Sequence, residues 1–212
     1  MEHFEQNGNQ LIYRHAGETI CVEPWGAISL RVLATVQRRL SDDRYALLDP
    51  VPTAVEIAID GDKASIVNGG IEARLTREGW TGACTIAFYN ARGELLLSER
   101  GAHGALQLYA HDFHPIIGGD FRLTASFEAE EDEKLYGMGQ YQQEILNLKY
   151  CTLELAHRNS QASVPFVLSS RGYGFLWHNP AIGEVSFGRN VTRWVAQIGR
   201  AHVRTPVTYA DL

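Results

Sequence analysis

Apolar and polar residues alternate with a period of two along most of the chain, which predicts strands with one core face and one solvent face. Ile28, Leu30 and Val32 alternate with Ser29 and Arg31, and Val55, Ile57 and Ile59 with Glu56 and Ala58. Ile71, Ala73 and Leu75 do the same with Glu72 and Arg74. In the clearest run Phe121, Leu123, Ala125 and Phe127 fall on one face while Arg122, Thr124 and Ser126 fall on the other, as a pleated strand demands. Asp60-Gly61-Asp62, Asn68-Gly69-Gly70, Asn90-Ala91-Arg92-Gly93 and Gly118-Gly119-Asp120 punctuate these runs with residues that accept positive φ, so neighbouring strands are expected to be antiparallel. Only the segments from Gln37 to Arg44 and from Gln142 to Leu148 could form a helical turn. Short strands at this spacing predict an all-β fold, an antiparallel sandwich in preference to a barrel.

The chain has 212 residues, 45% of them hydrophobic and 21% charged, enough for one sizeable core or two small ones without disulfide or metal staples. The net charge is −6, and the Lys and Arg residues are scattered singly along the chain, so nucleic acid is not an expected partner. No stretch approaches the roughly 18 to 20 apolar residues of a membrane span, and the N-terminus is acidic and polar rather than basic and then apolar, so neither membrane nor export is expected. Cys21, Cys84 and Cys151 are odd in number and lack the close pairs of a zinc or redox motif. They read as reduced thiols in a cytoplasmic protein. The charge run from Glu128 to Lys134 reads as a solvated loop.

Residues able to carry chemistry are dispersed. His111-Asp112-Phe113-His114 offers two imidazoles, but a strand sends His111 and His114 to opposite faces and no third ligand follows at metal spacing, so they read as polar loop histidines. No metal and no cofactor are expected. A mutarotase-type epimerase uses a histidine acid and a carboxylate base on a sandwich face. His157, His178, Glu154 and Glu184 are of those types, with no spacing that singles out a pair. Gly137-Met138-Gly139 lacks the third glycine and the helix of a phosphate loop and reads as a strand-to-loop transition. Ser169 to Gly174 reads as a tight turn between two strands. Tyr136, Tyr141, Phe166, Tyr173, Phe175 and Trp177 either fill a core or form part of a sugar-stacking surface.

Several of these residues carry a family resemblance. Leu135-Tyr136-Gly137-Met138-Gly139-Gln140, then Asn147-Leu148-Lys149, then Val164-Pro165-Phe166 with Ser169-Ser170-Arg171-Gly172-Tyr173-Gly174, and finally Trp177-His178-Asn179-Pro180, resemble the N-terminal domain of glycoside hydrolase family 31. The match is strongest from Leu135 to Ala196 and more diffuse before it, including Leu30-Arg31-Val32 and Gly93-Glu94-Leu95-Leu96. The resemblance implies a galactose-mutarotase-like β-sandwich that precedes a catalytic (β/α)₈ barrel in enzymes acting on α-linked glycosides, α-glucosidases and α-xylosidases among them. In that family the two catalytic carboxylates are aspartates of the barrel, and no βαβ pattern occurs in this chain. No catalytic residue is therefore expected here. The domain would support the barrel and edge the sugar site through the segment between Gln140 and Val164. Arg158 and Asn159 are its candidate substrate contacts, although many members have Arg-Asp where this sequence has Arg158-Asn159. The alternative function is a free-standing carbohydrate-binding module.

The chain is expected to divide into a sandwich domain over residues 1–197 and a foreign tail over residues 198–212. From Ile198 to Thr208 the sequence reads like a translated sequencing-library adapter, which would leave the coding sequence truncated and the sandwich without its closing strand. The alternation from His202 to Tyr209 would also suit a genuine strand.

Overall fold

The computed structural model describes residues 3–41, 44–51, 53–101, 109–199 and 202–209, and among them every regular element is a strand. The chain opens with β1 (Phe4–Asn7), β2 (Gln10–His15), β3 (Glu18–Pro24) and β4 (Ser29–Thr35), then forms β5 (Glu56–Asp60), β6 (Lys63–Asn68), β7 (Ile71–Arg77), β8 (Cys84–Asn90) and β9 (Leu95–Ser98). β10 (His111–Pro115), β11 (Phe121–Glu128), β12 (Leu135–Gln140), β13 (Thr152–Leu155) and β14 (Ala162–Ser169) follow. The last elements are β15 (Tyr173–Leu176), β16 (Gly183–Phe187), β17 (Val191–Gly199) and β18 (His202–Tyr209).

These strands build three antiparallel sheets. One has eight strands in the order β1-β2-β3-β4-β18-β15-β14-β12, and two have five, ordered β5-β6-β7-β8-β9 and β10-β11-β17-β16-β13. The β1–β4 side of the large sheet packs on the β5–β9 sheet, while β18 and β14 face the other five-stranded sheet. This is the expected all-β sandwich, with one layer made of two sheets. A single core cluster runs through all three, centred on Trp177 and Trp194, whose rings stack with centroids 5.9 Å apart, and on Phe175, Phe127 and Phe187 around them.

Register explains the pattern read from the sequence. Leu123, Ala125 and Phe127 of β11 are buried in that core, and Arg122 and Thr124 stay on the outer face. β4 is buried on both faces: Leu30, Val32 and Ala34 join the main core, and Leu33 joins Ile12 and Cys21 under Leu40 on the other side. On that outer side Arg31 lies buried, its Nε 2.6 Å from Glu23 and its guanidinium over the Trp25 ring.

Three local expectations are corrected. Neither helical turn forms among the described residues of 37–44 and 142–148, Asp42 and Asp43 lying outside them. In the second segment the backbone bonds go to tertiary partners instead: Leu148 donates to the Leu135 carbonyl, and the Asn147 amide oxygen accepts from the Leu135 and Lys149 N–H groups. The run from Glu128 to Lys134 is not wholly solvated. Glu133 is buried and accepts hydrogen bonds from the Ser169 and Tyr173 hydroxyls, locking the turn before β15. His111 lies on a strand, buried, while His114 on the same strand is exposed.

β18 is inserted between β4 and β15, pairing along Ser29–Thr35 on one side and Tyr173–Phe175 on the other, with Val207 fully buried. Arg200, Ala201 and residues 210–212 of the adapter-like segment lie outside the described residues.

Candidate functional site

The segment expected to reach toward a sugar is shaped first by β12. Gly137, Met138 and Gly139 all have positive φ, and the register with β14 shifts between Gly137 and Gly139. A Cβ at Gly137 would lie 2.7 Å from the Phe166 carbonyl oxygen, and one at Gly139 would lie 2.4 Å from that of Ala162, so both positions require glycine on conformational and steric grounds. Met138 tolerates its backbone because its side chain is anchored in the core. The bulge ends the pairing and sends the chain outward, as bulges do. Residues 141–150 then return to β12 through Asn147, and Lys149, largely buried, donates to the Glu130 carbonyl. Burial lowers the Lys149 pKa, against the opposing pull of Glu133 and Glu130.

The segment between Gln140 and Val164 is not one loop. β13 interrupts it and pairs with β16 in the five-stranded sheet, so the projecting part is the short hairpin between β13 and β14. Arg158 and Gln161 close that hairpin by exchanging backbone hydrogen bonds of 3.1 and 3.3 Å, with Ser160 at φ +63. At its base the Tyr141 hydroxyl donates to the Glu154 carbonyl and shares a 2.8 Å hydrogen bond with Ser163, tying β13 to β14. Burial raises the pKa of this phenol.

Arg158 and Asn159 are both exposed at the hairpin tip. The Arg158 guanidinium grips Glu154 by two hydrogen bonds, 3.0 Å from Nε and 2.5 Å from Nη2. Those bonds lower the Glu154 pKa. Glu154 is directly opposite Glu184 in the β13–β16 ladder, and the two carboxylates share a cavity of about 670 Å³ with Thr152, Ile182, Gly183 and Gln197. Like charges facing each other across a ladder repel. The Arg158 fork offsets this, and it also holds Glu154 as a carboxylate, unsuited to the role of general acid.

The structure thus joins Glu154, Glu184 and Arg158 but not the two histidines. His178 is buried elsewhere, its Nε2 accepting the Ala46 N–H at 3.2 Å, and His157, exposed on the same hairpin, accepts the Ser163 N–H at 3.4 Å through Nδ1. Neither histidine lines the cavity that holds Glu154 and Glu184. Of the aromatic group, Tyr173, Phe175 and Trp177 fill the core, whereas Tyr136, Tyr141 and Phe166 are half-buried. Phe166 covers Gly174, where a Cβ would fall 2.7 Å from the ring.

An all-β sandwich with no helix among its described residues and a strained glycine bulge feeding a projecting hairpin defines the class: a mutarotase-like sandwich domain. Residues 19–185 match the glycosyl hydrolase 31 N-terminal galactose mutarotase-like domain, and the chain belongs to that family. It is 45% identical to an uncharacterized family 31 glucosidase of Pseudescherichia vulneris over 93% of this chain and 40% of that protein. It is 29% identical to alpha-xylosidase A of Aspergillus niger over 92% of this chain and 28% of the relative. A solved GH31 alpha-xylosidase from a soil metagenome, complexed with xylose, superposes with a TM-score of 0.91 at 44% identity, covering 98% of this chain and 32% of that structure. The chain therefore spans less than half the length of these relatives. No helix among the described residues is long and apolar enough to cross a membrane.

Proposed function

We propose that this domain is the non-catalytic sandwich of an α-glycosidase, supporting a catalytic (β/α)₈ barrel supplied by the rest of the enzyme and edging its sugar site with the hairpin between β13 and β14. The observation that carries this reading is the projection of Arg158 and Asn159 at an exposed tip on a domain of this family. The Arg158 fork is already oriented by Glu154, so it can offer its remaining N–H donors to a sugar hydroxyl with little further ordering. Asn159 adds an amide where a carboxylate is common. The names of two relatives favour an α-xyloside as substrate. The free state of all three cysteines supports a cytoplasmic location.

Retaining hydrolysis needs two carboxylates about 5 to 5.5 Å apart, one of them able to donate a proton. Glu154, held ionised by Arg158, does not meet the second demand. The chain alone should therefore show no turnover of aryl α-xylosides or α-glucosides above a mock purification. In the full-length enzyme, Arg158→Ala should raise KM several-fold with a smaller effect on kcat. An unchanged KM overturns the contact role, and turnover by this chain that is lost on changing one of its own carboxylates overturns the non-catalytic reading.

The cavity beside Glu154 favours a second reading, a carbohydrate-binding module. Retardation of this chain by immobilised oligosaccharide in affinity electrophoresis would support it.

A further inference from the structure

On the outer face of the β10-β11-β17 part of its sheet the fold gathers cations that are far apart in the sequence. Ser126 of β11 is opposite Arg193 of β17, and the backbone N–H of Arg100 donates to the Ser126 carbonyl, so Arg100 and Arg193 flank one end of a cavity of about 450 Å³. Arg122 and its cross-strand neighbour His114 line the other end, four residues along β11, or roughly 13 Å at strand spacing. None of the three guanidiniums forms an ion pair or side-chain hydrogen bond with a described residue, whereas nine other arginines of this acidic chain do. Asp112, opposite Thr124, lies between the two ends, and the half-exposed ring of Tyr109, next to Ala110 whose carbonyl accepts the Ser126 N–H, lines the Arg100 and Arg193 end.

Guanidiniums that line one cavity with no ionic partner among the described residues repel each other, and an anion that bridges them removes the repulsion while gaining charge-assisted hydrogen bonds. Backbone positions roughly 13 Å apart along β11 suit an anion charged at two points better than a single small oxyanion. The cavity offers a carboxylate acceptor for hydroxyl groups at its middle and an aromatic face at the Arg100 and Arg193 end, which suit a polyhydroxylated ring rather than an aliphatic chain. We propose that this cavity binds an elongated acidic saccharide with an oxyanion at each end, Arg100 and Arg193 taking one and Arg122 the other. The proposal rests on this cavity alone and is independent of the role given to Arg158.

Calorimetric titration of the chain at low salt tests it, with digalacturonate and glucose 1,6-bisphosphate as probes and maltose as the neutral control. At least one dianion should bind and maltose should not, with affinity falling as salt rises. Binding of digalacturonate alone assigns a carboxylate ligand, binding of the bisphosphate alone a phosphate ligand, and binding of both a site that reads charge spacing. Arg122→Ala and Arg193→Ala should each weaken binding about tenfold or more, the scale of one lost charge-assisted hydrogen bond. Arg189→Ala, an exposed arginine paired with Glu131 outside the cavity, should leave it unchanged. Absence of heat with both dianions at millimolar concentration, or equal weakening by Arg189→Ala, overturns the proposal.

Discussion

His111 Nε2 lies 2.9 Å from Glu99 Oε1, and both side chains are only 3% exposed. The other ring nitrogen meets Glu18 at 3.0 Å, so one imidazole bridges a carboxylate of β3 and one just past the end of β9, and the second Glu99 oxygen accepts the Ile86 N–H. Burial disfavours the imidazolium, but the charge of Glu99 and the hydrogen bonds to Glu18 and Glu99 outweigh it and push the His111 pKa up to about 10. The folded value exceeds the ordinary 6.5, so this bridge stabilises the fold fully below about pH 6.5 and progressively less as pH rises toward 10. Urea unfolding of the chain should therefore show a stability that declines between those limits. His111→Gln should be less stable at pH 6 and should lose most of the pH dependence in that window. An identical slope in the variant would show that other groups carry it.

Much of the architecture was legible in period-two alternation because burial of one strand face is a local property of the sequence. The faces of β7 and β11 and the turn at Ser169–Gly172 emerge as read. What stayed hidden depends on register between distant strands. Glu99 and Glu18 become partners of His111 only when three sheets meet, and Arg100, Arg122 and Arg193 look scattered until β10, β11 and β17 align. Arg158 and Asn159 could be placed in a projecting segment, yet the Glu154 grip on Arg158 needed the hairpin to close. A four-residue spacing of opposite charges was the one available signal for that pair.

The glycine bulge of β12 should be intolerant of substitution. Gly139→Ala puts a Cβ 2.4 Å from a backbone carbonyl oxygen at φ +91, combining a steric clash with left-handed strain. A loss of about 2 kcal/mol or more is expected by chemical denaturation. An alanine at Gly93, whose φ is +76 but which has open space around it, should cost less, about 1 kcal/mol. Equal losses at the two positions would mean that the strand adjusts around the bulge.

We propose that residues 198–212 are foreign in sequence to the domain of residues 1–197, while the backbone of β18 fills a slot that the sandwich needs filled. Proline is rare inside a sheet because it cannot donate to the ladder, and Pro206 is opposite Arg31 of β4, one residue beyond the last pair that β18 makes with β15, at Val207. If the residues were not selected for this place, Pro206→Val should raise stability, by up to about 1 kcal/mol for a restored hydrogen bond. Deleting 198–212 should lower it by more than about 2 kcal/mol, since Val207 leaves the core and two strand edges lose their partner. A destabilised Pro206→Val variant would mark the tail as native to the sandwich. An unchanged midpoint on deletion would show that the slot does not need filling.

The chain by itself should self-associate. Ile145, Leu146 and Tyr150 are exposed in the return segment between β12 and β13, with Leu146 at 81%, and Ile182 is exposed next to the Glu154 cavity. In the proposed full-length enzyme a barrel is the natural cover for such residues, and without one a second copy offers the same apolar surface. Light scattering should show the mean mass rising with protein concentration, and Leu146→Glu should reduce the rise by setting like charges against each other across the contact. A monodisperse monomer at high micromolar concentration that binds no hydrophobic dye would mean that the sandwich is self-sufficient, and would favour the binding-module reading over that of a barrel support.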